Sequence, residues 1–286
     1  MSVDHYENFP VASFLCPPAL RPAVTAIYHF ARTADDIADE GTATAQDRLD
    51  TLNRYERDLL AAAQRGVGHI SADWPQVFGP LAQQIATQRL PLTLLSQLVA
   101  AFKQDTHNPL YPDRTALLDY CSRSANPIGR LLLHLADVRD ADALTQSDAV
   151  CSALQLINFW QDMSIDHRRR RFYVPLADAL HHGLNVETLR DDSDASRALV
   201  RELCQWAREL MVQGAPLAHR LPGRFGWELR LVVQGGLRIL DKIEARGFNS
   251  LGQRPAIGAI DAPLLLWRAL WMRRGTPTRL FDPAAR

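Results

Sequence analysis

The 286-residue chain holds 32 basic and 32 acidic residues, so its formal net charge is zero, and it lacks the basic excess of a general nucleic-acid binder. Hydrophobic residues make up 47%, enough for one large core, or for two domains at a stretch. The four cysteines, Cys16, Cys121, Cys151 and Cys204, are far apart with no Cys-x-x-Cys, which argues against a disulfide framework or a zinc site and for a reducing compartment.

In chain order, residues 1–8 are polar and acidic, without an apolar signal-peptide core. Pro17-Pro18 opens a helix running to about Glu40, where Gly41 stops it beside Thr42, Thr44 and Gln46. A second helix carries Leu49, Leu52, Tyr55, Leu59 and Leu60 and ends at Gly66-Val67-Gly68. Helical spacing then recurs over 76–88, 91–105, 113–137, 146–166, 194–219, 225–246 and 262–273. Asn126-Pro127 bends the 113–137 segment, because proline removes a donor and crowds the preceding turn. Thr145 and Asp148 resemble a capping box. Residues 167–192 are polar and broken, with a short helix after Pro175. Strand-like alternation, internal repeats and low-complexity linkers are absent, so one all-α domain over 1–286 is expected. No apolar run approaches the ~18 residues of a spanning helix. The expected location is cytoplasmic, with peripheral contact at the inner membrane left open.

Two pairs of aspartates interrupt apolar helical stretches. Asp35 and Asp39 stand four apart in the first, Asp162 and Asp166 in the second. At about 100° per residue, Tyr28, Arg32, Asp35 and Asp39 share one face, and Gln155, Asn158, Asp162 and Asp166 share another. Like charges at this spacing repel, and buried carboxylates need a partner. A di-iron bundle would want Glu-x-x-His, which none of the nine histidines supplies. Glycoside hydrolysis needs only two carboxylates. A Mg²⁺ cluster gripping a diphosphate uses all four, with Arg32 and the run Arg168-Arg169-Arg170-Arg171 beside them. The plain alternative is solvated surface acids in i,i+4 salt bridges.

The segment Tyr28-His29-Phe30-Ala31-Arg32-Thr33-Ala34-Asp35-Asp36-Ile37-Ala38-Asp39-Glu40 resembles the first aspartate-rich motif of the squalene and phytoene synthases. Gln155-Leu156-Ile157-Asn158-Phe159-Trp160-Gln161-Asp162, with Asp166 and Arg171-Phe172-Tyr173-Val174-Pro175, resembles the second motif and its trailing Arg-x-Tyr-x-Pro. Tyr120-Cys121 and Ile239-Leu240-Asp241-Lys242-Ile243 also match, and the likeness covers roughly 8–254. It implies the all-helical isoprenoid synthase fold with a central cavity, and prenyl diphosphate chemistry with two or three Mg²⁺. Three segments resemble the hydroxysqualene-forming branch of bacterial hopanoid biosynthesis: Glu7 to Ser13, Ser122 to Gly129, and Asn158 to Asp162. That branch takes presqualene diphosphate, rearranges its cation and adds water.

On this resemblance, Asp35, Asp39, Asn158, Asp162 and Asp166 hold metal, Arg32 and Tyr28 join the aspartates as catalytic residues, and Arg171, Gln155, Tyr173 and Asn158 serve the diphosphate. An apolar wall of Phe30, Leu131, Leu132, Ile157, Phe159 and Trp160 encloses the chains. Ser124 and Asn126 position the water, or Asn126 caps the bent backbone. Gly235-Gly236 stands where relatives often carry Tyr, so Arg238 or Arg254 is expected to replace that contact. No Gly-x-Gly-x-x-Gly is present, and NADPH is not expected. Product hand-off to other hopanoid-pathway enzymes is a further expectation. His181-His182-Gly183 reads as a helix C-terminus, and at least two of the four arginines should face water. Pro263 to Arg274, with two tryptophans and a basic end, suits an interfacial membrane helix or a helix docked on the core.

Overall fold

The structure, a computed structural model, describes residues 16–252 and 254–272; the Glu7 to Ser13 segment and Arg273-Arg274 lie outside them. Among the described residues the regular elements are helices, with no strand: α1 (Arg21–Asp39), α2 (Ala45–Arg65), α3 (Pro75–Gln88), α4 (Leu92–Asp105), α5 (Arg114–Ser124), α6 (Asn126–Leu135), α7 (Ala141–Arg168), α8 (Leu176–His181), α9 (Asp194–Gly214), α10 (Gly223–Ala245) and α11 (Ala262–Leu270). All four cysteines are free thiols.

Most helix ends follow local chemistry. Thr44 accepts from the Asp47 amide at 3.1 Å and Asp47 returns the bond to the Thr44 amide, closing a capping box on α2. The box expected at Thr145 does not form: α7 starts a turn earlier, where Asp140 accepts from the Ala143 amide at 2.9 Å. Asp148 instead pairs with Arg130. At Asn126-Pro127 the chain breaks into two helices at Ala125. Beyond α8, Gly183 takes a left-handed conformation (φ 69°) while Leu184 donates to Ala179, so His181-His182 closes a helix as expected.

Two large apolar cores result, with a smaller third of Leu133, Ala143, Leu217, Leu221 and Phe225, against which Leu132 packs. Phe30, Tyr55, Phe78 and Leu95 join α1–α4, with Leu131 of α6. Leu156, Trp160, Leu203, Met211 and Ile239 join α7, α9 and α10, the larger cluster. The long α7 lies at its centre, packed on α5, α6, α9 and α10. Close approach is enforced by glycine: a methyl at Gly214 would sit 2.5 Å from the Gln146 carbonyl oxygen and 2.7 Å from the Val150 amide nitrogen. At Gly236 of α10 an added carbon would meet the side-chain ends of Met211 in α9 and of Leu154 and Ile157 in α7 at 2.9–3.2 Å. Thus α1 belongs to one core and α7 to the other, and their acidic faces meet across the gap between.

Candidate active site

Arg32 on α1 gathers the acids of its own helix. Its guanidinium reaches Asp35 at 3.0 Å, Asp36 at 2.6 Å and Glu40 at 3.1 Å. One turn on, Asp39 is nearly buried and receives Arg171 Nη1 at 2.7 Å and Arg169 Nη1 at 3.3 Å. These arginines come from the far side of the gap. The turn that delivers them ends α7: Arg170 is left-handed (φ 59°), its amide donates to His167, and the Arg171 amide donates to Asp166 at 2.8 Å. That reversal aims Arg171 back at α1. Arg168 and Arg170 stay exposed, as expected for two of the four.

The second stripe is held similarly. Arg254, from the segment before α11, grips both oxygens of Asp162, and the fully buried Gln161 donates to the Pro255 carbonyl at 2.6 Å. Asp166 has its carboxyl pushed up to about 7 by burial first and the charge of Asp162 second, against relief from Arg169 and Arg254. Asp35 is also raised, mainly by burial, with Arg32 opposing and Asp36 adding. Arg169 therefore touches Asp39 and acts on Asp166, and Arg171 touches Asp39 and acts on Asp35. The two pairs share one set of cations. An open cleft of about 630 Å³ lies here, lined by Asp39, Glu40, Arg48, Asp105, Arg169 and Arg171 among others. Its rim is charged rather than greasy.

Asp105, which the sequence pattern did not single out, closes α4 at this cleft. Tyr120 donates to its Oδ2 at 2.8 Å, while Oδ1 is buried without a hydrogen bond. Burial, opposed by the Tyr120 bond, raises it to about 7, and Asp35 adds to the rise. A lone acid has no i,i+4 partner to mark it in sequence. Above it stand Tyr111, Tyr120, Phe159 and Tyr173, the last two stacked at 3.9 Å. A pocket of about 20 Å³, room for one water, is lined by Asp166, Arg171, Tyr173 and Phe159 among others.

Tyr28, half-buried, begins the α1 stripe edge-on to His29, while Gln155 is half-buried and Asn158 exposed ahead of Asp162. Several expected site residues fall elsewhere. Phe30 is fully buried against Tyr55 and Phe78, because two residues from Tyr28 is the opposite helical face. Leu131 lies in the α1–α4 core, while Phe159, stacked on Tyr173, and Trp160, facing Trp206, both line the small pocket that holds Asp166. Asn126 accepts from Ser152 at 3.0 Å. Ser152 precedes Asp162 by ten residues, about 15 Å along the helix, too far to serve a carbon leaving a diphosphate held there. Asn126 does not cap the break either, since no side chain does so. Ser124 Oγ is buried without a partner. Arg238 is committed to the buried Asp261 at 2.8 Å, so of the two arginines expected to replace the missing tyrosine only Arg254 reaches the acids.

Among the described residues no three carboxylate, His or Cys side chains form a ready metal cage, and Asp39 and Asp162 are engaged by guanidiniums. The donor set still suits a hard cation. Asp35 is half-buried and paired with Arg32, burial and Asp162 hold the Asp166 carboxyl up, and their ligand atoms are oxygens.

An all-α bundle whose two acidic helix faces are linked by guanidiniums, with Arg48, Arg169 and Arg171 lining the cleft, has an isoprenoid synthase fold. The chain belongs to the squalene/phytoene synthase family, matching it over residues 3–261, which ends before α11. It is 33% identical over 261 residues to a hydroxysqualene synthase of Rhodopseudomonas palustris, covering 89% of this chain and 85% of that protein. It is 38% identical over 172 residues to a hydroxysqualene synthase of Zymomonas mobilis, covering 59% of this chain and 54% of that protein. The crystal structure of squalene synthase HpnC from Alicyclobacillus acidocaldarius superposes with a TM-score of 0.76 at 35% identity, over 86% of this chain and 90% of that one. No described helix is long and apolar enough to cross a membrane.

Proposed function

We propose that the chain is a Mg²⁺-dependent hydroxysqualene synthase acting on presqualene diphosphate. The bond from carbon to the diphosphate oxygen breaks, the cyclopropyl cation rearranges, water adds to one carbon, and a proton leaves with the diphosphate. The observation that carries this reading is the arginine bridge: Arg171 and Arg169, from beyond α7, ion-paired to Asp39 on α1. It links the first stripe to the end of the second helix beside a highly charged cleft, and the named relatives favour water as the terminal nucleophile.

Asp35, Asp39, Asn158, Asp162 and Asp166 would hold two or three Mg²⁺, which when bound neutralise the diphosphate and favour its departure. The chain's own part is separable. Arg32, Arg171 and Arg254 present fixed positive charge where negative charge grows during ionisation, a term that lowers the barrier without solvent reorganisation. The pairs of Arg171 with Asp39 and Arg254 with Asp162 keep these acids compensated, and each would have to open for its aspartate to ligate a cation. The Tyr111, Tyr120, Phe159 and Tyr173 faces suit a carbocation. The one-water pocket beside Asp166 and Tyr173 replaces Ser124 and Asn126 as the place for the quenching water. No hydride donor is required.

The test is incubation of the purified chain with presqualene diphosphate and Mg²⁺, with and without NADPH, and product identification by mass. The alcohol should form equally in both. Squalene formed only with NADPH, or rapid consumption of farnesyl diphosphate supplied alone, would assign the chain to reductive or condensing chemistry instead.

A further inference from the structure

Beyond the acidic cleft, the chain carries a second surface with its own pattern. From Arg254 and Pro255, both pinned to α7, it runs through Ala256–Gly258 and a short turn at Ala259–Asp261 into α11. The outer face of this stretch consists of Ala256, Gly258, Ala259, Ile260, Ala262, Pro263, Leu266, Trp267, Leu270 and Trp271, every one exposed and none charged. The large side chains are open to a degree unusual for their type: Ile260 is 90% accessible, Trp271 67%, Leu266 60% and Leu270 59%. Positions 266, 267, 270 and 271 repeat at helical spacing, so they form one stripe.

The inner face explains why the stripe is presented rather than folded away. Ala269 is buried, and Arg268 donates to Asp241 of α10 at 2.6 Å. Asp261, with no exposed side-chain surface, is held by Arg238 at 2.8 Å, Lys242 at 2.5 Å and the Gly258 amide at 2.8 Å. These ties fix the turn and the helix as a rigid platform with its apolar side outward. Of the two readings of this segment in the sequence, an interfacial membrane helix or a helix docked on the core, the contacts with α10 show the docking, and the side turned away from α10 is apolar and exposed.

We infer that this face, Ile260 with Leu266, Trp267, Leu270 and Trp271, seats the protein on an anionic lipid bilayer. Charge selects the occupant. Asp241, which α11 contacts, and Asp261, which precedes it, are already engaged by cations, and residues 271–286 hold four arginines against one aspartate. An isologous contact with a second copy would bring two such basic tails together. An anionic lipid surface attracts the same tail, and tryptophan favours the boundary between headgroups and acyl chains. The platform is contiguous with Arg254 on Asp162, so a protein seated this way rests on the membrane through the segment that braces its acidic cleft.

The test uses the full chain, without substrate, so its outcome is independent of the reaction proposed above. Sedimentation is measured with vesicles of phosphatidylglycerol and phosphatidylcholine in equal parts, and with phosphatidylcholine alone. The wild type should pellet with the anionic vesicles, with blue-shifted tryptophan emission, and release as salt is raised. Leu266→Glu/Leu270→Glu, at two exposed positions, should lower the partition coefficient at least about tenfold with an unchanged melting temperature. Arg273→Ser/Arg274→Ser should weaken binding to the anionic vesicles alone. Wild-type protein that stays in the supernatant, or a Glu variant that pellets equally, overturns the inference. So does a lipid-free dimer that the Glu variant converts to monomer, since the face would then belong to a second copy.

Discussion

Replacing Arg171 with Ala strips Asp39 of its principal partner. Both side chains are nearly buried, at 15% and 12% exposure, and the pair is two-pronged. Breaking a buried ion pair costs about 3–5 kcal/mol because a desolvated charge is left behind. Arg169 remains 3.3 Å from Asp39 but is 57% exposed and returns only part of that, leaving a loss of about 2 kcal/mol. At about 2–4 °C per kcal/mol the melting temperature should fall by about 4–8 °C. On the proposed reaction turnover should fall more, by about 10²–10³, since a charge that would face the developing diphosphate anion is removed. Arg171→Lys keeps the charge and loses the fork, so it should fall between. The assays are thermal melting and Mg²⁺-dependent diphosphate release, run for Arg171→Ala, Asp39→Asn and the double variant. The double variant should melt close to the worse single one, with coupling of about 1 kcal/mol or more. Additive losses, or full turnover in Arg171→Ala, would refute the arginine bridge as the link between the two stripes.

Three further outcomes follow from the same structure. Folded Asp105 and Asp166 titrate near 7, above their ordinary value of 3.8. Between those values the folded chain holds protons that the unfolded chain has released, so stability should fall as pH rises through that window. Melting without divalent ions from pH 5 to 8 checks this, and Asp105→Asn should flatten the slope; an Asn variant with the wild-type slope would contradict it. Arg170→Gly should stabilise by about 1 kcal/mol, since only the left-handed strain at φ 59° is relieved, and urea midpoints at constant m would show it. Gly214→Ala should destabilise by about 2 kcal/mol despite its better helix propensity, because the new methyl meets α7 backbone; a more stable variant would mean α7 and α9 separate at little cost.

The helices themselves were legible from spacing and caps alone, because a helix depends on neighbours within a few residues. Asp35 with Asp39, and Asp162 with Asp166, fell on common faces for the same reason. Local periodicity also misled where it was not applied strictly: Phe30 lies half a turn from the acidic stripe and belongs to the α1–α4 core. Asn126 drew attention by its polarity, but only the tertiary fold shows it bonded to Ser152 far down α7.

What the sequence determined by itself was the fold class, the family likeness and the two acidic stripes, each a short-range pattern. Only the tertiary structure decided which cations meet those acids. Arg171 reaches Asp39 across 132 residues and Arg254 reaches Asp162 across 92. It also set Asp105 opposite Asp35 and turned the apolar side of α11 outward. The physical reason is that charge pairing and desolvation depend on distance in space, which packing of α1 and α7 into separate cores fixes and sequence separation does not.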